Sequence, residues 1–541
     1  MRMTTNTMVI RPVKSFLLLY LFAFLPFFGF AQDFRIIKGD CTPEPSGTEE
    51  ALARSSAAIR RLPSINNKWD PTRTYKQLVI LIEFNADSTY FSMEHPREFY
   101  DSVFNMKGFN KMDGKGCVAD YFRDQSSGQF NLEFDVYGPY RIEQKGQPYD
   151  SPTDNIRNYG REAMIAATRQ FLTENPEMDY QQYDWNGNNA INQVIYIFAG
   201  YSGNQGSQKV YGYLWPNTSS FATIQAPGGL SISNYTCSAE KFSNGRLCGL
   251  GTICHEFTHS LGLPDIYPVA NEAGYSVCDE WDLMDGGNFT NYGWCPPNFT
   301  SLEKWLLGWL SFTELDEPAT ITDMKSVEDE GEIYRIKHSD SEWLLLENRQ
   351  QRGWDAGVPG KGLVIFHVYY DASVWRGNTV NNNPDKRRFE LVHADGIDYD
   401  QWAFLLVERG VTSQSAVYQN PSNRMNSWLL SGSPYPWTND SASFVNNSLT
   451  VTSVPAPRMN YPDVHGDTIL NKPITNIQMS EDGLISFDFM GGDKTAVNAV
   501  KEMKSSQPVL LFDLSGRQVS RSGKRGLYLR RDKNGVIKKI L

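Results

Sequence analysis

The residues best equipped for chemistry lie in Gly251–Asp265, which reads Gly-Thr-Ile-Cys-His-Glu-Phe-Thr-His-Ser-Leu-Gly-Leu-Pro-Asp. On a helix, positions i and i+4 share a face, so His255 and His259 can turn two imidazoles toward one metal ion. Glu256 sits one residue round from His255, where its carboxylate can reach a water beside that ion. Gly262 can end the helix, because glycine enters the left-handed region without steric cost. Pro264 also opposes further helix. The chain can then double back and offer Asp265 as a third ligand. Two imidazoles and one carboxylate leave a position open, which suits catalytic Zn2+ better than structural Zn2+. With 7 His in 541 residues, chance supplies His-Glu-x-x-His in roughly one such chain in two hundred. The plain alternative is an amphipathic helix whose histidines only pack or face solvent.

The elements that must position this helix read as an α/β arrangement. Gln77–Phe84 and Gln193–Ala199 are continuous apolar runs, expected as buried strands. Phe130–Tyr137 alternates and is expected as a half-buried strand. Pro96–Phe104, Val118–Gln125 and Asp154–Thr173 are expected as helices, and Ser301–Leu310 as a core-packed helix through Leu302, Trp305, Leu306 and Trp309. Asn204–Gly229 is rich in Gly, Ser, Asn and Gln. Tyr211–Pro216 within it reads as a candidate edge strand that could hold an extended peptide.

Composition bounds the class. A length of 541 residues is too long for one core, and 40% hydrophobic residues indicate globular folding. A net charge of -11 argues against a nucleic-acid binder. Arg2, Arg11 and Lys14 precede an apolar stretch, Ser15–Phe30, and Gly29-Phe30-Ala31 is a small-x-small site, so residues 1–31 read as a secretory signal peptide. Residues 32–73 read as a prosegment in which Cys41 or Asp40 could mask the metal, or as a plain N-terminal extension. Seven cysteines in an exported chain allow some pairing and leave at least one unpaired.

Asp184-Trp-Asn186-Gly-Asn188-Asn-Ala-Ile-Asn192 has oxygen side chains at alternate positions, as a Ca2+ loop does, but only Asp184 is charged, so any Ca2+ affinity is expected to be weak. The plain reading is a polar loop held by side-chain bonds to backbone. Met284, followed by Gly286 and Gly287, suits a tight turn whose thioether floors the metal site. Tyr292 is a candidate for steadying an oxyanion.

These motifs carry a resemblance. The segment 74–312 resembles the catalytic domain of the M6 (immune-inhibitor-A-like) metalloproteases through His255–Asp265, Trp281–Gly286, Leu302–Trp309, Val118–Asp124 and the loop at 184–192. The resemblance implies a metzincin-like α/β (α+β) catalytic domain with zinc on His255, His259 and Asp265, Glu256 as general base and Met284 in the Met-turn. The asparagines at 184–192 depart from the family's aspartates and weaken the case for Ca2+. A gluzincin-like layout would instead draw the third ligand from Glu280 or Glu303. Residues 313–492, with short strands and frequent turns, are expected to form a β-rich accessory region. There His367, with Asp371 nearby, is expected to pack rather than bind a second metal. Residues 493–541 resemble C-terminal sorting segments of type IX secretion, with strands near Leu510–Arg517 and Gly526–Leu529, and imply secretion machinery as a partner.

The expected activity is zinc-dependent hydrolysis of protein or peptide substrates at the cell surface or outside the cell. The competing expectation is an adhesin on a degenerate protease fold, against which the intact Glu256 counts.

Overall fold

The computed structural model describes residues 69–146, 156–203, 214–242, 244–270, 276–410 and 427–492, and the backbone strands at 510–512, 518–519, 528–531 and 537–540. The proposed leader, nearly all of the proposed prosegment (Asp40 and Cys41 included) and Tyr211–Tyr213 lie outside the described residues.

A five-stranded sheet carries the N-terminal half, in the order β2-β1-β3-β5-β4. Its strands are β1 (Thr74–Phe84), β2 (Asn131–Ile142), β3 (Val194–Tyr201), β4 (Asn217–Ala226) and β5 (Leu230–Lys241). β2, β1, β3 and β5 run parallel, and β4 closes the edge antiparallel to β5. The apolar run of β1 is wholly buried from Leu78 to Ile82, as a strand covered on both faces must be. The covering helices are α1 (Pro96–Asn105), α2 (Val118–Gln125), α3 (Ile156–Glu174) and α4 (Leu250–Leu261). Side chains alternate along β2, so its two faces meet different partners. Phe134 meets Phe104 of α1 and Phe257 of α4, whereas Tyr137 meets Phe171 of α3.

Two expectations shift. The helix from Ser301 stops at Leu306 (α5, Ser301–Leu306), because the chain turns left-handed at Gly308, φ +76°. The Gly- and Ser-rich stretch leads into a hairpin, β4–β5, that hydroxyl-rich composition hid. The edge strand is 217–226, immediately after the 211–216 run.

The C-terminal half is β-rich. Its strands are β6 (Thr313–Glu314), β7 (Ala319–Met324), β8 (Tyr334–Lys337), β9 (Glu342–Arg349), β10 (Gly362–Tyr369), β11 (Phe389–Leu391), β12 (Trp437–Thr438), β13 (Val445–Asn446), β14 (Ile474–Met479) and β15 (Ile485–Phe489). One sheet has the order β11-β10-β9-β8-β6, and a three-stranded sheet the order β14-β15-β7. The central pair is β9 (Glu342–Arg349) against β10 (Gly362–Tyr369), antiparallel. Its two faces feed two cores. Trp343, Leu345, Val364, Phe366 and Val368 join the core of the N-terminal sheet, and Leu344, Leu346, Leu363 and Ile365 join a second core with Tyr435 and Phe487. Burying the first five stabilises the junction by roughly 10 kcal/mol as an upper figure. The β-rich half is therefore welded onto the half that bears His255 and His259. At the C-terminus, four short antiparallel strands form a separate small sheet.

All six described cysteines, Cys117, Cys237, Cys248, Cys254, Cys278 and Cys295, are buried free thiols, so the pairing allowed by the sequence does not occur among them. Burial pushes each thiol up, Cys117 and Cys295 to about 12, and so suppresses the reactive thiolate.

Candidate metal centre

Helix α4 lies with its N-terminal backbone against the loop at 288–293. A Cβ on Gly251 would stand 2.1 Å from the Asn288 carbonyl oxygen, so only glycine permits that approach. Gly262 ends the helix at φ +108°, and its N–H donates to the His259 carbonyl. The chain then reverses and brings Asp265 back over the same helix face.

His255, His259 and Asp265 converge, with their ligand-type atoms within 4.8 Å of one another. Asp265 Oδ1 stands 3.2 Å from each of the two Nε2 atoms. The opposite ring nitrogens are engaged: His255 Nδ1 bonds the Leu283 carbonyl and His259 Nδ1 the Leu263 carbonyl, both at 2.8 Å. Such bonds aim Nε2 inward in the tautomer a metal requires. Asp265 Oδ1 is buried without a hydrogen bond, an arrangement that would be costly unless positive charge faces it. Burial raises the Asp265 carboxyl, but the His259 and His255 rings outweigh it and hold it far below the usual carboxylate range. Burial lowers His259, yet Asp265 and then Glu256 drive it to about 9. This donor set of two imidazoles and a carboxylate is of the kind that suits Zn2+.

Glu256 is buried beside this group. Burial raises its pKa, and the neighbouring His255 and His259 pull it down. Thr218, on the edge strand β4, donates to the Glu256 carbonyl and stands 3.3 Å from its Oε2. The Tyr267 ring lies 6.4 Å from that of His255 and within 14° of parallel. Neither contact was legible in the sequence, because both join segments that only the fold makes neighbours.

Met284 is fully buried in the turn below. Its carbonyl accepts from Ile266 N–H at 2.9 Å and its N–H donates to Asp282 Oδ1 at 2.6 Å, so the turn supports the ligand loop directly. Asp282 is anchored in turn. Burial and then Glu303 push its carboxyl well up, and burial raises that of Glu303 to about 7, so the two buried carboxyls raise each other's cost of ionising. Glu303 Oε2 accepts from Thr300 N–H and Oγ1 at 2.7 and 3.0 Å, capping α5. Glu303 is therefore occupied in the floor of the site, and neither it nor Glu280 joins the converging group.

The other candidate residues lie outside the converging group. Tyr292 lies against Phe242 with the Arg246 guanidinium 4.2 Å from its ring centre, outside the converging group. The 184–192 loop uses its Asp184 and Asn192 oxygens internally, which leaves Ca2+ unsupported. Asp184 Oδ1 accepts from Asn188 N–H and Oδ2 from Asn189 N–H, Asn192 Oδ1 accepts from Trp185 N–H, and Asn186 and Asn188 point outward, exposed.

His367 is clamped between carboxylates, with Nε2 2.8 Å from Glu342 and Nδ1 3.2 Å from Glu390, while Asp371 caps a short helix through Ser373. Burial opposes its charge, but Glu342 and then Glu390 raise it to about 9. Because that lies above the usual value of 6.5, the stability it contributes is complete below pH 6.5 and is lost as pH rises through about 9. The advantage of wild type over His367→Gln in urea unfolding should therefore shrink by about 3 kcal/mol between pH 6 and pH 10. A pH-independent difference would remove the imidazolium from the account.

The stretch that carries these residues is similar to known proteins. Residues 207–309 match the family model described as Immune inhibitor A peptidase M6, catalytic domain. Immune inhibitor A of Bacillus thuringiensis subsp. alesti is 25% identical over 326 residues, 51% of this chain and 46% of that protein. The Pre-pro-metalloprotease PrtV of Vibrio cholerae serotype O1 (strain M66-2) is 24% identical over 273 residues, 43% of this chain and 30% of that protein. The chain thus spans less than half the length of the curated relatives it matches. Among the described residues no helix is long and apolar enough to cross a membrane. The segment that folds into the edge strand, the His255 helix and the Met284 turn is thus the one that matches an M6 peptidase catalytic domain.

Proposed function

We propose that this protein is a secreted zinc endopeptidase. One observation carries the reading: two buried imidazoles and an otherwise unbonded carboxylate oxygen converge at 3.2 Å, with a buried glutamate one residue from the first imidazole. His255, His259 and Asp265 would hold the ion. Bound there, Zn2+ supplies Lewis acidity toward a scissile carbonyl and toward water. Glu256 takes the proton from the attacking water and returns it to the leaving amine. A neighbouring low-dielectric wall keeps Glu256 basic enough for that transfer, and Thr218 holds its backbone. The strand β4 borders the same carboxylate and is the outer strand of its sheet among the described residues, where an extended peptide could add by backbone bonds. Met284 and the Asp282–Glu303 pair keep the floor rigid. The reading includes export through residues 1–31 and a sorting role for residues 493–541.

The test is metal analysis of the purified protein paired with casein cleavage in the presence and absence of a chelator. Zinc near one equivalent with chelator-sensitive cleavage is the expected result. Zinc bound without any cleavage would instead favour a binding protein on a protease fold. Asp265→Ala should lose the ion, whereas Glu280→Ala should keep it, as read by metal content after dialysis. The reverse pattern would move the third ligand to Glu280.

A further inference from the structure

The ligand carboxylate is gripped from the far side by a residue of the β-rich half. Asn378 Oδ1 accepts from the Asp265 backbone N–H at 2.7 Å, and Asn378 Nδ2 donates to Asp265 Oδ2 at 2.8 Å. The two residues are 113 positions apart, and Asn378 is buried. One side-chain amide therefore fixes both the backbone and one carboxylate oxygen of Asp265, and leaves only Oδ1 to face the imidazoles.

The neighbours of Asn378 hold the same loop. Asn381 donates to the Ile266 carbonyl at 2.9 Å, and Asn382 accepts from Val269 N–H at 2.8 Å. Asn378 itself stands at φ +54°, a left-handed conformation that asparagine tolerates better than most side chains. It follows a helix (Ala372–Arg376) whose Trp375 is fully buried in the shared core, so its position is set by packing and not by the loop alone.

We propose that Asn378 is the positioning residue of the metal centre: it holds Asp265 as a one-oxygen ligand and makes the β-rich half a working part of the site. The inference rests on the proposed ligation of zinc by Asp265. Its chemistry is specific to an amide. Only a group that accepts on one atom and donates on the other satisfies an N–H and a carboxylate together. Aspartate of the same shape would keep the first bond and set a carboxylate against the ligand's own Oδ2. Glycine would keep the left-handed backbone and release the carboxylate to rotate.

The experiment uses the full chain. Zinc affinity is read by competition with a chromophoric chelator, and ligand geometry by the visible absorption of the Co2+-substituted protein. Asn378→Asp should weaken zinc by about 10–100-fold and alter the Co2+ bands. Asn378→Gly should weaken it in the same direction and covers the case in which the aspartate variant does not fold. With zinc in excess, both should lower kcat for a peptide while KM changes little. Asn382→Ala, whose side chain bonds, among the described residues, only the backbone of residues 269 and 270 and not Asp265, should leave the zinc affinity and the Co2+ bands unchanged. Wild-type affinity and spectrum in both Asn378 variants would overturn the inference and leave the endopeptidase reading standing. Equal weakening by Asn382→Ala would also overturn it, because the effect would then be general loop docking. A wild-type chain that takes up no zinc would defeat the earlier reading itself.

Discussion

Glu256→Ala should retain zinc and lose peptide hydrolysis by on the order of 10²–10⁴-fold, the range for removing a positioned general acid–base. Metal retention is expected because nothing that orients the ligands passes through the Glu256 side chain. His255 is set by the Leu283 carbonyl, His259 by the Leu263 carbonyl and Asp265 by Asn378. The helix should also persist, since alanine favours it and the side chain's one described protein contact is Thr218 at 3.3 Å. Metal content and kcat/KM measured on the same sample separate the two effects. Near-normal hydrolysis would remove Glu256 from the mechanism, and loss of zinc would make it part of the binding site.

Arg349→Met should destabilise the protein by about 3–5 kcal/mol, the usual cost of stripping one partner from a buried charge network. Arg349 is fully buried at the end of β9. It makes a two-bond fork to Asp355 at 2.6 and 2.7 Å and reaches Glu347 at 3.3 Å. It also donates to the Trp281 and Asn298 carbonyls. Glu347 continues the chain of bonds to Ser301 at the start of α5. Removing the guanidinium would leave Asp355 and Glu347 buried without a counter-charge, beneath the turn that carries Met284. The loss should appear as a lower urea midpoint. Neutralising Asp355 and Glu347 in the same chain should recover part of it, as comparison of the triple variant with its component variants would reveal. A variant as stable as wild type would mean that water reaches the cluster and that the two halves are joined by apolar packing alone.

These two residues show why the site reads so differently from its setting. Glu256 lies inside a local pattern, and a local pattern is visible in the chain. Helix periodicity places His255 and His259 on one face, Gly262 stops the helix, and the short span to Asp265 allows the return. The apolar runs of β1 and β3 are equally plain, since a strand covered on both faces must be apolar throughout. The hairpin β4–β5 was not legible, because its buried positions include Thr218, Thr236 and Cys237, whose hydroxyls and thiol find partners only in the folded chain. The 184–192 loop follows the plainer of its two readings. Backbone N–H groups of the same loop claim the oxygens of Asp184 and Asn192.

The chain by itself thus determined the two imidazoles, the glutamate between them, the helix stop and the strands that carry them, because each depends on spacings of a few residues. The tertiary structure alone decided which groups face the site from afar: Thr218 on Glu256, Asn378 on Asp265, Glu303 on Asp282 and Arg349 beneath Trp281. Each of those contacts joins residues from 21 to 113 positions apart. Such pairs leave no periodic trace, since an amide or a carboxylate looks the same in a loop whether it meets water or a buried partner. Packing two cores on opposite faces of β9 and β10 brought them together, and the exclusion of water there is what makes each contact count.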